Sequence, residues 1–181
     1  MPKPLLTSSA DLALHYAVHA CSLGYVLLAA TSQGMAAVLL GDSPPELLTA
    51  LQQRYPQRAL VPGGAVLQRW GATVLNIVEH PRLQHVVPLD VLQGTDFQRQ
   101  VWKALRGIPA GQTRTYADMA HAVGRPQAVR AVASACGANP LAILVPCHRV
   151  LRSDGGLGGY RWGIARKQQL LRQEAQELLP Q

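Results

Sequence analysis

A five-residue segment, Pro146 to Val150, places three reactive side chains in a row. Cys147 supplies a thiol, His148 an imidazole and Arg149 a guanidinium. A cysteine beside a basic or cationic group can lose its proton near neutral pH and act as a nucleophile. The alternative is that Cys147 is a small buried residue, as most free cysteines are. The apolar run 141–145 before the segment predicts a short buried strand leading into it.

The other cysteines are Cys21 and Cys136, and their spacing matches neither a disulfide framework nor a metal-binding motif. Free thiols persist in a reducing compartment, so we expect a cytoplasmic protein. The histidines of the first half also lack metal-like spacing; they are His15, His19, His80 and His85. We therefore expect no metal site.

The net charge of +7 lies entirely in residues 95–181, because residues 1–94 carry equal numbers of acidic and basic side chains. Such a basic half is typical of a surface that faces a polyanion, with nucleic acid favoured over an anionic membrane. A solvated basic face without a partner is the alternative. The apolar stretch 23–40 is interrupted by polar residues at 31–34, which predicts a hairpin and not a membrane span.

The first half predicts a small α/β unit, since turn-forming residues separate its short apolar runs. A capping-box pair, Ser43 and Glu46, marks the start of its first helix. The predicted elements are strands at 25–30, 35–40 and 86–87 and helices at 43–55 and 66–79. Gln93 and Gly94 form a predicted linker to the second half.

The second half predicts a helix-turn-helix arrangement. Capping-box patterns start helices at Thr95 and Thr115, Gly124 ends the latter, and a further helix follows over 126–138. Its core face is predicted to hold Val129, Val132, Ala133 and Cys136. Its outer face carries one long cation among small or short polar neighbours: Arg130 with Gln127, Ala131, Ser134 and Ala138. A helix this slim suits the narrow minor groove better than the major groove.

Two further features follow the reactive segment. The loop 153–159 is rich in glycine, which lets backbone amides approach a ligand closely. The last helix is predicted over 164–178, and Glu174 lies in its apolar stripe, four residues after Leu170. An inward carboxylate without a partner is costly, so Glu174 is expected to pair with a structural cation or to orient an imidazole.

Residues 95–175 resemble the C-terminal domain of the O6-alkylguanine-DNA alkyltransferases, also called methylated-DNA–protein-cysteine methyltransferases. The resemblance rests on segments 97–102, 115–116, 129–132, 146–150 and 159–163 and on Asn139 and Glu174. Residues 20–94 resemble the family's variable N-terminal domain more weakly, through the hairpin and residues 39–42. The likeness is to the bacterial adaptive-response type, without the metal-binding regulatory domain that can precede it.

The resemblance implies an α/β fold, with a small RNase-H-like domain over residues 1–92 and a winged helix-turn-helix domain over residues 93–181. It implies direct-reversal DNA repair by a monomer, in which the O6-alkyl group of guanine, methyl above all, moves to Cys147. Because the product is a thioether that nothing in the chain could reverse, we expect a single turnover and no cofactor. Larger adducts and O4-methylthymine stay open as substrates.

The resemblance also implies roles for individual residues. His148 would act on Cys147 through a bridging water and would be held by Glu174, because neighbouring side chains on a strand point to opposite faces. Tyr116 would stabilise the departing guanine and contact a phosphate, and Asn139 would tie the second helix of the motif to the active-site loop.

Arg130 would enter the base stack as a finger while the damaged guanine swings out. Further DNA contacts are expected from Gln127, Ala131, Ser134, Thr115 and Tyr116. The base pocket is expected to include Val150, Tyr160, Arg161 and Trp162, and a bulky Trp162 would narrow it against large adducts.

Two alternatives remain. A lesion-binding relative that does not react would lack the nucleophile, which is present here as Cys147. A winged-helix transcription regulator would use Cys147 only structurally, and the slim helix face and the inward Glu174 argue against it.

Overall fold

The first half of the chain is built on a four-stranded sheet. The computed structural model describes residues 13–83 and 86–176; His85 and the predicted end of the last helix at 178 lie outside these residues. The strands are β1 (Leu14–Cys21), β2 (Gly24–Thr31), β3 (Gly34–Gly41) and β4 (Leu60–Pro62), in the order β3-β2-β1-β4. The predicted hairpin is confirmed as β2 and β3, which pair antiparallel. β1 was not predicted, since its polar residues obscure the apolar pattern.

Two helices, α1 (Pro44–Arg54) and α2 (Ala65–Glu79), follow the sheet strands and pack against them, as predicted. The buried face of α2 carries Leu67, Val74, Ile77 and Val78. The predicted capping box of α1 does not form, because the Ser43 side chain makes no capping hydrogen bond. No helix within the described ranges is both long and apolar enough to cross a membrane.

The outer edge of β3 receives two single-residue bridges, from Leu89 to Met35 and from Leu141 to Val38. The Val38 amide donates to the Pro140 carbonyl at 2.9 Å. The strand predicted at 86–87 does not form there, and pairing occurs only at Leu89. An open strand edge exposes unpaired backbone groups, so these bridges cover it and attach the segment before Cys147 to the sheet.

The second half contains the predicted helix-turn-helix arrangement. Its elements are α3 (Asp96–Leu105), β5 (Arg114–Thr115), α4 (Tyr116–Ala122), α5 (Val129–Ala138), β6 (Val150–Leu151) and α6 (Ile164–Gln176). Both predicted capping boxes form, at Thr95 and at Thr115. Helices α3, α4 and α5 pack on one another, while β5 and β6 pair in parallel. The predicted boundary between residues 92 and 93 stays a prediction.

Helix α5 differs from its prediction in start and in orientation. It begins at Val129 and not at 126, since residues 125–128 first form a turn in which the Ala128 amide donates to the Arg125 carbonyl. Val129 is 37% exposed and Ala133 is exposed, whereas Ala135 is buried in their place. Packing against α3 decides this, because the Trp102 indole N–H donates to the Ala135 carbonyl at 2.8 Å.

The strand predicted at 141–145 is wrong. Only Leu141 pairs with the sheet, after which the chain turns, with the Val145 amide donating to the Leu141 carbonyl at 2.9 Å. Ile143 has a φ of 68°, a left-handed conformation that is rare for a β-branched residue. A short buried apolar run is compatible with a strand or a turn, and periodicity does not separate them.

Candidate active site around Cys147

Cys147 opens a single 3-10 turn over residues 147–149 and is 4% exposed. Its side chain borders a cavity of about 150 Å³. The other lining residues come from α4, α5 and the glycine-rich loop: Tyr116, Ala133, Cys136, Gly137, Gly159, Tyr160 and Arg161. The thiol is therefore accessible to a group that enters this cavity and is otherwise shielded from solvent.

Asn139, the residue after α5, makes hydrogen bonds to the loop that carries Cys147, the loop to which the resemblance assigned it. Its side-chain nitrogen donates to the Val145 carbonyl at 2.8 Å and lies 3.3 Å from Cys147 Sγ. Its side-chain oxygen accepts from the Leu141 amide at 2.9 Å. One fully buried amide thus joins the end of α5, the turn before the cysteine and the sulfur itself.

His148 and Glu174 form the expected pair, with 2.8 Å between His148 Nε2 and Glu174 Oε1. Both side chains are fully buried. The described residues contain no direct hydrogen bond between His148 and Cys147, and His148 Nδ1 has no partner there. The two neighbours lie on a tight turn and not on a strand, so the argument from strand alternation does not apply to them.

Arg149 is a third member of this buried network, which the sequence did not reveal. Its Nε donates to both Glu174 oxygens at 3.0 and 3.1 Å, and its terminal nitrogens bind the Ile108 and Pro81 carbonyls. The Gly111 amide donates to Glu174 Oε2 at 3.0 Å. The carboxylate therefore accepts hydrogen bonds from two chain segments, the turn at residues 148–149 and Gly111.

The network fixes the protonation of its members. Burial acts to raise the pKa of Glu174, but hydrogen bonds and charge from His148 and Arg149 outweigh it and lower the pKa to about 2. Burial lowers the pKa of His148 despite the neighbouring carboxylate. Near neutral pH the pair is a carboxylate and a neutral imidazole, so Nε2 donates to Glu174 and Nδ1 is left as a hydrogen-bond acceptor.

Cys147 is a thiol at rest. Burial raises its pKa to about 11, and the Asn139 hydrogen bond and the Lys167 charge only moderate this. Burial therefore opposes formation of a thiolate near neutral pH in the unliganded site, and the neighbouring groups only partly offset it. Arg149, the adjacent cation, is committed to Glu174 instead. The proton has to leave Cys147 during a reaction, to a nearby base.

Lys167 on α6 is a fully buried cation that the sequence did not reveal. Its Nζ donates to the carbonyls of Val150 at 2.6 Å, Gly159 at 3.3 Å and Leu157. These carbonyls lie on β6 and the glycine-rich loop, so Lys167 holds that loop at the cavity. A lysine in a helix with many polar residues gives no sequence signal that separates it from an exposed one.

The predicted base-pocket residues separate into two groups. Tyr160 and Arg161 line the cavity, whereas Val150 and Trp162 are not among its lining residues. Trp162 is 7% exposed and packs against the Tyr160 ring, with 5.2 Å between ring centroids. The cavity width is therefore set by residues other than Trp162. Cys136, predicted only as a core residue, does line the cavity.

The predicted DNA-contacting residues are exposed or partly buried. Gln127, Arg130, Ala131 and Ser134 are exposed, Thr115 and Tyr116 are partly buried, and Ala138 is partly buried at the end of α5. Exposed Ala133 and Gly137 add to the slim surface around Arg130. This face adjoins the cavity, since Ala133 and Gly137 also line it.

The geometry defines a class: a helix-turn-helix protein in which a buried cysteine lines a cavity and adjoins a buried histidine–glutamate pair. Residues 96–176 match the family model described as the DNA-binding domain of 6-O-methylguanine DNA methyltransferase. The chain is also 41% identical over 145 residues to the inducible methylated-DNA–protein-cysteine methyltransferase of Bacillus subtilis, which covers 80% of each chain. The chain belongs to the O6-methylguanine-DNA methyltransferase family, and the resemblance and fold class stated from the sequence are confirmed.

Two further relatives bear on its architecture. The bifunctional transcriptional activator/DNA repair enzyme Ada of Escherichia coli is 49% identical over 166 residues, which are 92% of this chain and 47% of that protein. The chain thus spans about half the length of that relative. A crystal structure of Mycobacterium tuberculosis OGT in complex with DNA is 36% identical, with a TM-score of 0.73, and covers 90% of this chain and 93% of that one.

Proposed function

We propose that this protein repairs DNA by direct reversal, moving the O6-alkyl group of a guanine, methyl above all, to Cys147 in a single turnover. One observation carries the proposal: Cys147 lines the cavity beside the helix-turn-helix face, and the next residue, His148, forms a buried pair with Glu174. The names of the B. subtilis and E. coli relatives support it. A purely structural cysteine in a transcription regulator would not need this arrangement.

The reaction is a displacement at the alkyl carbon. Cys147 Sγ forms a bond to that carbon as the carbon–O6 bond breaks, and the electron pair passes to the guanine. The thiol proton leaves through a water to neutral His148, whose positive charge Glu174 then stabilises. The proton taken up by His148 finally passes to the guanine, which therefore leaves as the neutral, unmodified base. No group in the site can cleave the C–S bond of the thioether product, so Cys147 is consumed.

We propose that the DNA is approached from the minor groove by a monomer. The exposed face of α5 is slim, and Arg130 is its long cation. The O6 atom lies inside a base pair, so the guanine has to leave the stack before a buried sulfur can reach its alkyl group. The M. tuberculosis relative crystallised with DNA supports this partner class. A reducing compartment such as the cytoplasm would keep the three free thiols available.

Incubating the protein with a duplex that contains O6-methylguanine should add the mass of one methyl group per chain, located on Cys147 by peptide mapping. Cys147→Ser should abolish the gain, because a hydroxyl is a far weaker nucleophile than a thiol. Cys21→Ser, which alters a cysteine outside the cavity, is the matched control and should be methylated fully. A folded wild-type protein that gains no mass would refute the proposal.

Arg130→Ala should slow methyl transfer from duplex DNA by roughly tenfold or more, since unstacking a base costs a few kcal/mol and the finger offsets it. Transfer from free O6-methylguanine base should stay unchanged, because no stack has to be opened. The measurement is single-turnover kinetics on both substrates, with Arg172→Ala, an exposed arginine on α6, as control. Equal slowing on both substrates would show that Arg130 does not act by entering the base stack.

A further inference from the structure

Two buried polar atoms near Cys147 have no hydrogen-bond partner among the described residues. They are His148 Nδ1 and the Tyr160 hydroxyl oxygen, Oη. A buried polar group without a partner costs free energy, so each one in a native structure calls for an explanation. The expected role of Tyr160, stacking on the base, uses its ring and leaves its hydroxyl unexplained.

The position of the Tyr160 hydroxyl is constrained on both sides. The ring lines the same cavity as Cys147, and it meets the His148 ring edge-on, with 6.5 Å between centroids and 79° between planes. Trp162 packs against the ring at 71° between planes. The oxygen is fully shielded, so the hydroxyl faces inward and not towards solvent.

The Tyr160 hydroxyl stays protonated and interacts electrostatically with Cys147 and Glu174. Burial raises its pKa well above the usual value, and negative charge on Cys147 raises it further. The positive charge of Arg166 lowers the Tyr160 pKa, and the negative charge of Glu174 raises it. The hydroxyl is therefore a permanent hydrogen-bond donor near the sulfur and the His148–Glu174 pair.

We propose that Tyr160 is a positioning residue: its hydroxyl and His148 Nδ1 together hold one water molecule against Cys147 Sγ. This inference rests on the proposed function and deepens it. A buried water makes about three hydrogen bonds, and three groups are available to it here: the Tyr160 hydroxyl, the Cys147 thiol and His148 Nδ1. Oη–H and the thiol donate to the water oxygen, and the water donates to Nδ1.

The proton transfer then balances. The thiol proton passes to the water while a water proton passes to Nδ1, which leaves a thiolate, an imidazolium and an unchanged tyrosine. Other charged and titratable groups surround the site and contribute to its pH dependence. They are Arg149 on the turn, Lys167, Arg166 and Glu174 on α6, Cys136 on α5, Tyr116 on α4 and Arg161 between the glycine-rich loop and α6.

Tyr160→Phe is the sharpest test, because it removes the hydroxyl and keeps the ring. We expect methyl transfer from duplex DNA to slow by roughly fivefold to tenfold, the effect of one hydrogen bond. Without DNA, the pH profile of Cys147 alkylation by methyl iodide should shift to higher pH. Thermal stability should be unchanged or higher, since a hydroxyl without a protein partner is removed.

Tyr55→Phe is the matched control. The Tyr55 hydroxyl is buried and donates to the Ala36 carbonyl at 3.0 Å, and Tyr55 is not among the residues that line the cavity. This variant should lose stability and keep the wild-type rate and pH profile. Tyr160→Phe therefore gives the opposite signature, with lower reactivity and undiminished stability.

Two results would overturn the inference: an unchanged pH profile and rate in Tyr160→Phe, or a loss of stability equal to that of Tyr55→Phe. A wild-type protein that takes no methyl group from DNA would refute the proposed function alone. The methyl iodide profile needs no DNA and would still decide the role of Tyr160.

Discussion

Replacing Glu174 by glutamine is expected to lower the free energy of unfolding by about 3–5 kcal/mol, the cost of removing one partner from a buried ion pair. Arg149 would remain as a buried guanidinium without a counter-charge. Its Nε–H now donates to both carboxylate oxygens, and a glutamine amide would offer only one acceptor oxygen in their place. Urea denaturation measures this. Glu46→Gln, an exposed acid in the first turn of α1, is the control and should change stability by less than about 1 kcal/mol.

The same substitution should change the acid stability of the protein. The Glu174 pKa is lowered from 4.5 to about 2, so its stabilisation is complete above pH 4.5 and is lost as the pH falls through about 2. The difference between wild type and Glu174→Gln should therefore shrink across that window. His148, whose pKa is lowered from 6.5, destabilises both proteins below that pH. A difference that is constant with pH would contradict the ion-pair account.

Glu174→Gln should also reduce the reactivity of Cys147. An imidazolium at His148 is stabilised by the carboxylate, and a neutral amide stabilises it far less. Alkylation of Cys147 by methyl iodide over a pH series measures this without DNA. An unchanged dependence of the alkylation rate on pH would show that Glu174 takes no part in the proton transfer and is only structural.

Lys167→Met is expected to lower the free energy of unfolding by about 2–4 kcal/mol. Three carbonyls on β6 and the glycine-rich loop lose their donor. The Val150 carbonyl is buried and costs about 1–3 kcal/mol when unsatisfied, the two partly exposed loop carbonyls cost less, and relief from burying an ammonium partly offsets the loss. Lys103→Met, at an exposed position on α3, is the control. A loss equal to that of the control would show that the carbonyls find other donors.

Lys167→Met should raise the pKa of Cys147 further, because the Lys167 charge is one of the influences that lower it. The rate of Cys147 alkylation should then fall at every pH below about 11, where the thiolate is the minor form. A fluorescence or mass assay of alkylation against pH measures the shift. A stability loss without this shift would make Lys167 purely structural.

Local patterns predicted the parts of the fold that local physics controls. The capping boxes at Thr95 and Thr115 form because a side chain and an amide three residues apart satisfy each other within one turn. The hairpin of β2 and β3 forms where polar turn residues interrupt an apolar run. The box at Ser43 failed, because a matching pair of residue types does not ensure the side-chain geometry.

Long-range packing decided what local patterns left ambiguous. The run 141–145 is apolar enough for a strand, but a single bridge to Val38 and the Asn139 hydrogen bonds hold it as a turn. The buried face of α5 was predicted only in part: Val132 and Cys136 are buried as expected, but Ala135 is buried in place of Val129 and Ala133, and its carbonyl accepts from Trp102 on α3. Both outcomes depend on partners distant in sequence.

By itself the sequence determined the helix-turn-helix arrangement, the candidate nucleophile Cys147 and the need of Glu174 for a partner. Its family resemblance also named His148 as that partner. Only the tertiary structure decided the electrostatics of the site: the thiol form of Cys147, the commitment of Arg149 to Glu174 and the burial of Lys167. The physical reason is that a pKa depends on desolvation and on charges brought together by folding, and neither is encoded in the spacing of residues along the chain.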